Sequence, residues 1–157
     1  MADALPDPLI VTCPVCAASN RVPRARLGQG KCGKCRSPLF QAKPVTLTAA
    51  NFDRHANAGD LPLLVDFWAA WCGPCRQMAP AFEAAARALE PGMRLGKLDT
   101  EAETAIAARY AVRSIPTLIL FHKGKEVART AGAMPLQALA GWARSAATKI
   151  QGQSRSG

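Results

Sequence analysis

From residue 45 onward, short apolar runs alternate with longer amphipathic stretches. The runs at residues 63–69 and 117–122 are almost wholly apolar, as expected for strands buried on both faces. Further strands are predicted at residues 45–47, 94–99 and 126–131, the last one after a turn at Gly124-Lys125. Helices are predicted from Thr48 to near Gly59 and over residues 73–89, 101–110 and 135–150, with a kink at Pro80.

The predicted order is β-α-β-α-β-α-β-β-α, which is typical of an α/β fold with a mixed central sheet flanked by helices. Residues 10–42 differ, because they lack regular periodicity and are rich in Gly, Pro, Lys and Arg. That segment is too small to build an apolar core of its own and requires a disulfide or a bound metal ion to stabilise it. We therefore expect an N-terminal module over residues 1–43, an α/β domain over 44–150 and a flexible tail over 151–157.

The net charge of +9 is concentrated at the two ends of the chain. Residues 1–45 hold seven Lys or Arg against two Asp, and the segment from Gly141 onward holds three bases and no acid. Basic ends can contact nucleic acid or an acidic partner, although solvated surface charge is the simpler interpretation. The one aromatic ring near the N-terminal bases is Phe40, which argues against base stacking and hence against nucleic-acid binding.

The first residues do not resemble a targeting segment. They contain Asp3, Asp7 and two prolines rather than a basic start followed by an apolar run. The most apolar stretch, residues 61–71, is too short to span a bilayer and includes Asp66. We therefore expect a cytoplasmic monomer without membrane contact. In a reducing compartment its six cysteines indicate catalytic thiols or metal ligands rather than structural disulfides.

Two of the cysteines, in Cys72-Gly73-Pro74-Cys75, lie where a predicted buried strand gives way to a helix. A helix N-terminus stabilises negative charge, so Cys72 should ionise readily and expose a nucleophilic thiolate. Cys75 lies one turn further and deeper, where it can displace a substrate bound to Cys72. Gly73 and Pro74 hold the two cysteines in one geometry. Inert or metal-bound cysteines are the alternative, but the strand–C-x-x-C–helix context favours redox function.

The other four cysteines form two pairs near the N-terminus. Their spacing is C-x2-C-x15-C-x2-C, which is typical of a zinc site with four thiolate ligands. Metal binding would supply the folding energy that this small module lacks. The alternatives are two disulfides or a second redox centre. The predicted zinc ligands are Cys13, Cys16, Cys32 and Cys35.

Asp66 is a lone carboxylate inside an apolar strand. Burial should raise its pKa and suit it to general acid–base work. An ion pair with Lys97 is the alternative, and both interpretations can hold together. The two histidines are interpreted as structural or solvated, with His55 on a predicted surface helix and His122 at a strand end.

Residues 65–75 (Val-Asp-Phe-Trp-Ala-Ala-Trp-Cys-Gly-Pro-Cys) strongly resemble the active-site segment of the thioredoxin family. The resemblance runs from about residue 45 to 150 and includes residues 97–99, 113–117 and Gly132. With its N-terminal cysteine pairs, the whole chain resembles the zinc-binding thioredoxin 2 subgroup. This implies a thioredoxin fold with a small zinc-ribbon-like module, and the activity of a protein-disulfide reductase.

The resemblance also assigns roles to residues at matching positions. It implies that Asp66 takes a proton from Cys75 through water and that Lys97 tunes Asp66. It implies a cis bond before Pro116 that brings the Ile115 backbone beside Cys72. The implied substrate groove is formed by Trp71, Gly73, Pro74, Ile115 and Gly132. Electrons would come from NADPH through a thioredoxin reductase, the substrates would be disulfide-bearing proteins, and no organic cofactor would be bound.

Three further expectations concern function. Oxidation of the zinc thiolates could release the metal and alter the catalytic domain. A binding module that uses the α/β domain only as a scaffold is a rival interpretation, although such scaffolds commonly lose an active cysteine. An exported thiol oxidant is disfavoured by the absence of a signal segment and by Gly73-Pro74 between the cysteines.

Overall fold

The computed structural model describes the backbone of residues 5–156 and the side chains of residues 5–150. Its three α-helices are α1 (Gly73–Leu89), α2 (Thr104–Arg109) and α3 (Leu136–Ser156). Its strands are β1 (Leu9–Thr12), β2 (Ser19–Val22), β3 (Val45–Thr46), β4 (Leu63–Trp68), β5 (Arg94–Asp99), β6 (Thr117–His122) and β7 (Lys125–Ala131). None of the described helices is both long and apolar enough to cross a membrane.

The central sheet has the strand order β3-β5-β4-β6-β7. Strands β3, β5 and β4 are parallel, β6 runs antiparallel to β4, and β7 runs antiparallel to β6. The predicted mixed sheet is therefore confirmed. Its two faces are both covered by apolar side chains, one layer against α1 and α3 and the other around Phe52 and α2. The nearly continuous apolar sequence of β4 and β6 follows from this double burial.

Three predicted helices differ in extent from those in the structure. The segment after Thr48 folds as turns that end in a π-helical turn, Arg54–Ala58. Asn51 accounts for the late start, because its amide bridges the Thr48 N–H and the Thr46 carbonyl as a turn would. Helix α2 begins at Thr104 rather than at residue 101. Helix α3 runs to Ser156, so its backbone includes most of the segment predicted as a tail.

The N-terminal module contains an antiparallel hairpin of β1 and β2 that periodicity did not predict. Its strands have only four residues each, too few to show a clear alternation. The module shares an apolar cluster with the α/β domain, since Leu61 of the domain belongs to it. The buried members of this cluster are Leu5, Leu9, Val11, Cys13, Val22, Cys32, Leu39 and Leu61.

Polar contacts fasten the module to the domain. The Asp60 carboxylate accepts a hydrogen bond of 2.6 Å from Ile10 N–H. Arg94, at the start of β5, is 3% exposed and donates to the carbonyls of Thr12 at 2.8 Å and Leu39 at 2.9 Å. Its guanidinium also lies 3.7 Å from the Glu90 carboxylate. A single buried cation on β5 therefore holds two separate segments of the module.

The module also explains why one histidine prediction is wrong. His55 is buried, not on a surface helix, because β1 covers the π-helical turn that carries it. Desolvation lowers its pKa to about 3, so the ring is neutral at physiological pH. His122 is half-buried, and its Nε2 lies 3.1 Å from the Asp60 carbonyl oxygen.

Candidate active site and metal centre

Cys72 and Cys75 are joined by a disulfide at the start of α1, with their Cα atoms 5.2 Å apart. Cys72 is the N-cap residue of the helix, and its Sγ accepts a hydrogen bond of 3.2 Å from Cys75 N–H. An N–H donor and the positive end of the helix dipole both stabilise negative charge on that sulfur. The disulfide therefore joins the N-cap residue of α1 to a residue in the first turn of the same helix.

The dithiol is more covered than the sequence predicts. Cys72 is 4% exposed and Cys75 is 2% exposed in this disulfide-bonded form. Trp68 and Ile115 pack against the pair, and Cys72 Sγ lies 3.7 Å from the Ile115 carbonyl oxygen. Trp68 and Ile115 therefore form part of the cover over the two sulfur atoms.

Asp66 lies in the middle of β4, the strand that precedes Cys72 in the chain, and is 1% exposed. Desolvation raises the pKa of this carboxyl to about 7, and the positive charge of Lys97 opposes that shift. One carboxyl oxygen has no hydrogen-bond partner among the described residues. Lys97 is level with Asp66 on the adjacent strand, but its Nζ lies 3.9 Å from Glu83 and over the Trp68 ring. The predicted raised pKa of Asp66 is confirmed, whereas Lys97 pairs with Glu83.

A loop and a turn complete the surface around Cys72. The Ile115–Pro116 bond is cis, as the resemblance implied. Gly132 N–H donates to the Pro116 carbonyl at 2.9 Å, and its φ of 102° is one that favours glycine. Trp71 is 66% exposed, and its indole N–H donates to Glu101 at 2.6 Å. The structure thus brings Trp71, Gly73, Pro74, Ile115 and Gly132 to the same region as the dithiol.

The four N-terminal cysteines converge on one point, and their sulfur atoms lie within 4.8 Å of one another. The Cys13–Cys35 and Cys16–Cys32 sulfur pairs are each 3.6 Å apart. A tetrahedral zinc with Zn–S bonds of about 2.3 Å requires sulfurs about 3.8 Å apart, so the set fits this ion. Backbone N–H groups of Val15 and Lys34 point at the sulfurs of Cys13 and Cys32, which stabilises thiolates.

Comparisons with known proteins agree with this geometry. Residues 43–145 match the family model described as Thioredoxin, and residues 12–37 match the one described as Thioredoxin 2, N-terminal. The chain belongs to the thioredoxin family. It is 43% identical to Thioredoxin C-3 of Corynebacterium nephridii over 85% of this chain and 92% of that protein. It is 44% identical to the thioredoxin of Porphyra purpurea over 59% of this chain and 87% of that protein.

A solved structure shows the same fold. A mutant thioredoxin from Halobacterium salinarum NRC-1 superposes with a TM-score of 0.61 at 31% identity, covering 68% of this chain and 92% of that one. Residues 43–145, which match the Thioredoxin model, cover nearly all of the α/β domain, and this is the thioredoxin domain of the chain. As a thioredoxin, the chain is a thiol–disulfide oxidoreductase with an added N-terminal domain of the thioredoxin 2 type.

Sequence reasoning missed several residues that shape this thioredoxin. Glu83 pairs with Lys97, and Glu101 holds the ring of Trp71. Neither acid carries a local signal, because each partner comes from another element. The Glu90–Arg94 spacing of four residues was a visible signal, but a pair at that spacing ordinarily indicates surface charge on a helix.

Proposed function

We propose that this thioredoxin reduces protein disulfides through Cys72 and Cys75. The Cys72 thiolate attacks one sulfur of the substrate disulfide and expels the other as a thiolate, which gives a mixed disulfide. The Cys75 thiolate then attacks Cys72 Sγ and releases the second substrate thiolate. The substrate gains two electrons, and the chain is left with the Cys72–Cys75 disulfide seen in the structure. The placement of that disulfide at the N-terminus of α1 is the observation that carries the proposal.

The second step requires a proton acceptor for Cys75. Asp66 is buried on β4, two residues before Trp68, which packs against the dithiol, and its pKa of about 7 allows it to accept and return a proton near neutral pH. Lys97 favours the ionised form of Asp66. We assign both residues to this proton transfer, with a water molecule carrying the proton between the carboxylate and the thiol.

Substrate recognition is assigned to the surface around Cys72. The Ile115 carbonyl, which lies beside Cys72 in the cis bond to Pro116, can accept a hydrogen bond from an extended substrate peptide. Trp71 offers an exposed apolar ring next to that position. Gly132 leaves space, because nothing lies within 4 Å of the Cβ it lacks.

Zinc is assigned to the N-terminal module, where it would hold four thiolates and contribute folding energy. We propose that oxidation of these thiolates tunes activity under oxidative stress. Graded peroxide treatment, with zinc release and insulin reduction measured on the same samples, tests this. Activity that falls in step with zinc release supports tuning, and unchanged activity after complete release contradicts it.

The remaining assignments follow family membership. We propose that a thioredoxin reductase regenerates the dithiol with electrons from NADPH, that the substrates are disulfide-bearing proteins, and that the chain acts as a cytoplasmic monomer. Nucleic acid and membranes are not among the proposed partners.

An NADPH-coupled insulin reduction assay tests the central proposal. Cys72→Ser should abolish turnover, because no mixed disulfide can form. Cys75→Ser should trap the mixed disulfide, which mass spectrometry detects. Lys125→Gln, on the far edge strand β7, should retain full activity. Insulin reduction by Cys72→Ser would contradict the role of Cys72, and full biological activity of this variant would favour the scaffold interpretation.

A further inference from the structure

We propose that the β3 edge of the sheet carries a groove that binds an extended segment of the substrate protein, with an acidic side chain seated against Lys43. The inference rests on the proposed disulfide reductase function and names an additional binding surface for its protein substrates. Its basis is a pair of adjoining clefts, the charges that line them, and two exposed apolar side chains at their ends.

The first cleft lies between the zinc module and the edge of the sheet and has a volume of about 410 Å³. That volume falls within the range of ordinary ligand clefts, roughly 300–1,000 Å³. The edge strand β3 forms one wall, and the turn that contains Cys13 and Cys16 forms the other. The lining residues are Pro14, Val15, Gln41, Lys43, Pro44, Val45, Thr46 and Asn51.

A second cleft, of about 240 Å³, continues the first toward the active site. The two clefts share Thr46, and the second one extends to Trp68 and Lys97. Trp68 packs against the cluster that contains Cys72. Since β3 lies two strands from β4, the lateral distance to be spanned is only about 10 Å. A substrate segment of several residues can therefore occupy both clefts while its cysteine is at Cys72.

Exposed apolar side chains stand near both ends of this groove. Among the described residues, the large hydrophobic side chains that are exposed are Val15 at 60%, Trp71 at 66% and Leu136 at 37%. Val15 lines the first cleft. Trp71 is bonded to Glu101, whose neighbours Ala102 and Glu103 line the second cleft. A bound segment could thus make apolar contact with Val15 at the module end of the groove and with Trp71 at the end near the active site.

The charges select the occupant. The sequence holds no Asp or Glu between Pro8 and Phe52, and among the described residues the one charged side chain that lines the first cleft is the exposed Lys43. The second cleft, in contrast, contains Asp99 and Glu103, and the one cation in the described part of its lining, Lys97, lies 3.9 Å from the Glu83 carboxylate. A nucleic acid would place a phosphate at every step and meet both acids. A polypeptide with an acid at the module end and none near Trp68 matches the whole groove.

The test uses synthetic peptides of about ten residues, which can span about 30 Å when extended. Each peptide has one cysteine carried as its mixed disulfide with 5-thio-2-nitrobenzoate. Attack by Cys72 on the peptide sulfur releases the coloured thiolate, so one absorbance trace gives the second-order rate constant. Three peptides are compared: one has a glutamate far from the cysteine, one has a glutamate beside it, and one has glutamine at both places. Each peptide is made in two versions, with the variable positions before or after the cysteine, so that both chain directions are sampled.

The peptide with the distant glutamate should react about threefold faster than the glutamine peptide, as expected for one exposed charge pair. Lys43→Gln should remove this advantage, as should about 0.5 M salt, whereas Lys125→Gln on the opposite edge should preserve it. Val15→Ser should lower the rate constant of every ten-residue peptide and leave the rate constant of the mixed disulfide of free cysteine unchanged. Equal rates for near and distant glutamate, or equal effects of Lys43→Gln and Lys125→Gln, would overturn the groove.

A second measurement separates the groove from the chemistry. A peptide with serine in place of cysteine should shift the amide resonances of Val15, Lys43 and Thr46. If the mixed disulfide of free cysteine fails to react, the proposed function is wrong, and these shifts still report on the groove. A single-stranded oligonucleotide that shifts the same amides, or dimerisation abolished by Val15→Ser, would assign the groove to another occupant.

Discussion

Arg94 offers the sharpest test of how the two parts of the chain are joined. Arg94→Met keeps much of the apolar stem but removes the guanidinium that binds the Thr12 and Leu39 carbonyls and faces Glu90. It also removes a cation that lies 4.7 Å from the centre of the Phe40 ring. Each buried carbonyl left without a donor costs about 1–3 kcal/mol, and breaking a buried ion pair costs about 3–5 kcal/mol. These costs overlap, so we expect about 4 kcal/mol of lost unfolding free energy.

Urea unfolding, followed by circular dichroism with zinc present, measures this loss. Arg144→Met removes the same charge from the exposed face of α3 and should cost less than about 0.5 kcal/mol. Burial raises the pKa of Glu90 and Arg94 opposes that rise, so the pKa should rise further in Arg94→Met. A raised carboxyl pKa in the folded state costs stability as pH increases, so the variant should suffer more at about pH 8 than at about pH 5. The double variant with Glu90→Gln should regain stability at the higher pH. Equal losses in Arg94→Met and Arg144→Met would refute this account of the interface.

Two further predictions concern the thioredoxin domain. Asp66→Asn should raise the free energy of unfolding by about 4 kcal/mol above pH 7.5 and by about 1 kcal/mol or less near pH 4.5, because the folded carboxyl has a pKa of about 7 and is destabilising once ionised. The same variant should no longer lose insulin reduction activity below neutral pH. A gain in unfolding free energy that does not depend on pH contradicts the assignment. Gly96→Ala should cost about 1–3 kcal/mol in urea unfolding, because its Cβ would lie 2.5 Å from a methyl carbon of Leu47 beside β3; an unchanged midpoint contradicts this packing.

The elements of the thioredoxin domain could be predicted because their signals are local. The apolar runs of β4 and β6 and the C-x-x-C at the start of α1 depend on neighbours within a few residues. Asp66 was recognised for the same reason, since a carboxylate inside an apolar strand has few ways to be solvated. The cysteine spacing of the N-terminal module likewise indicated a metal site before any strand was visible there.

The contacts between the two parts could not be predicted, because their partners are far apart in sequence. Arg94 binds a carbonyl 82 residues away, and Asp60 binds an N–H 50 residues away. The sequence placed His55 on a surface helix because nothing local shows that β1 covers it. Glu83 approaches Lys97 only after α1 has packed on the sheet. In each case tertiary packing determines the role of a polar residue that the sequence leaves open.

The sheet geometry finally decides whether the two sets of cysteines can exchange disulfides directly. The module is fastened at Arg94, the first residue of β5, whereas the dithiol follows Trp68, which is level with Asp99 at the last residue of β5. Six residues of strand separate these ends by about 17 Å. Thiol–disulfide exchange requires contact between sulfur atoms, so within one folded molecule the four cysteines of the N-terminal module cannot act as a second redox relay for Cys72. If zinc binding affects catalysis, it must therefore act through the packing of the module against β5 or through the wall of the cleft that Pro14 and Val15 form.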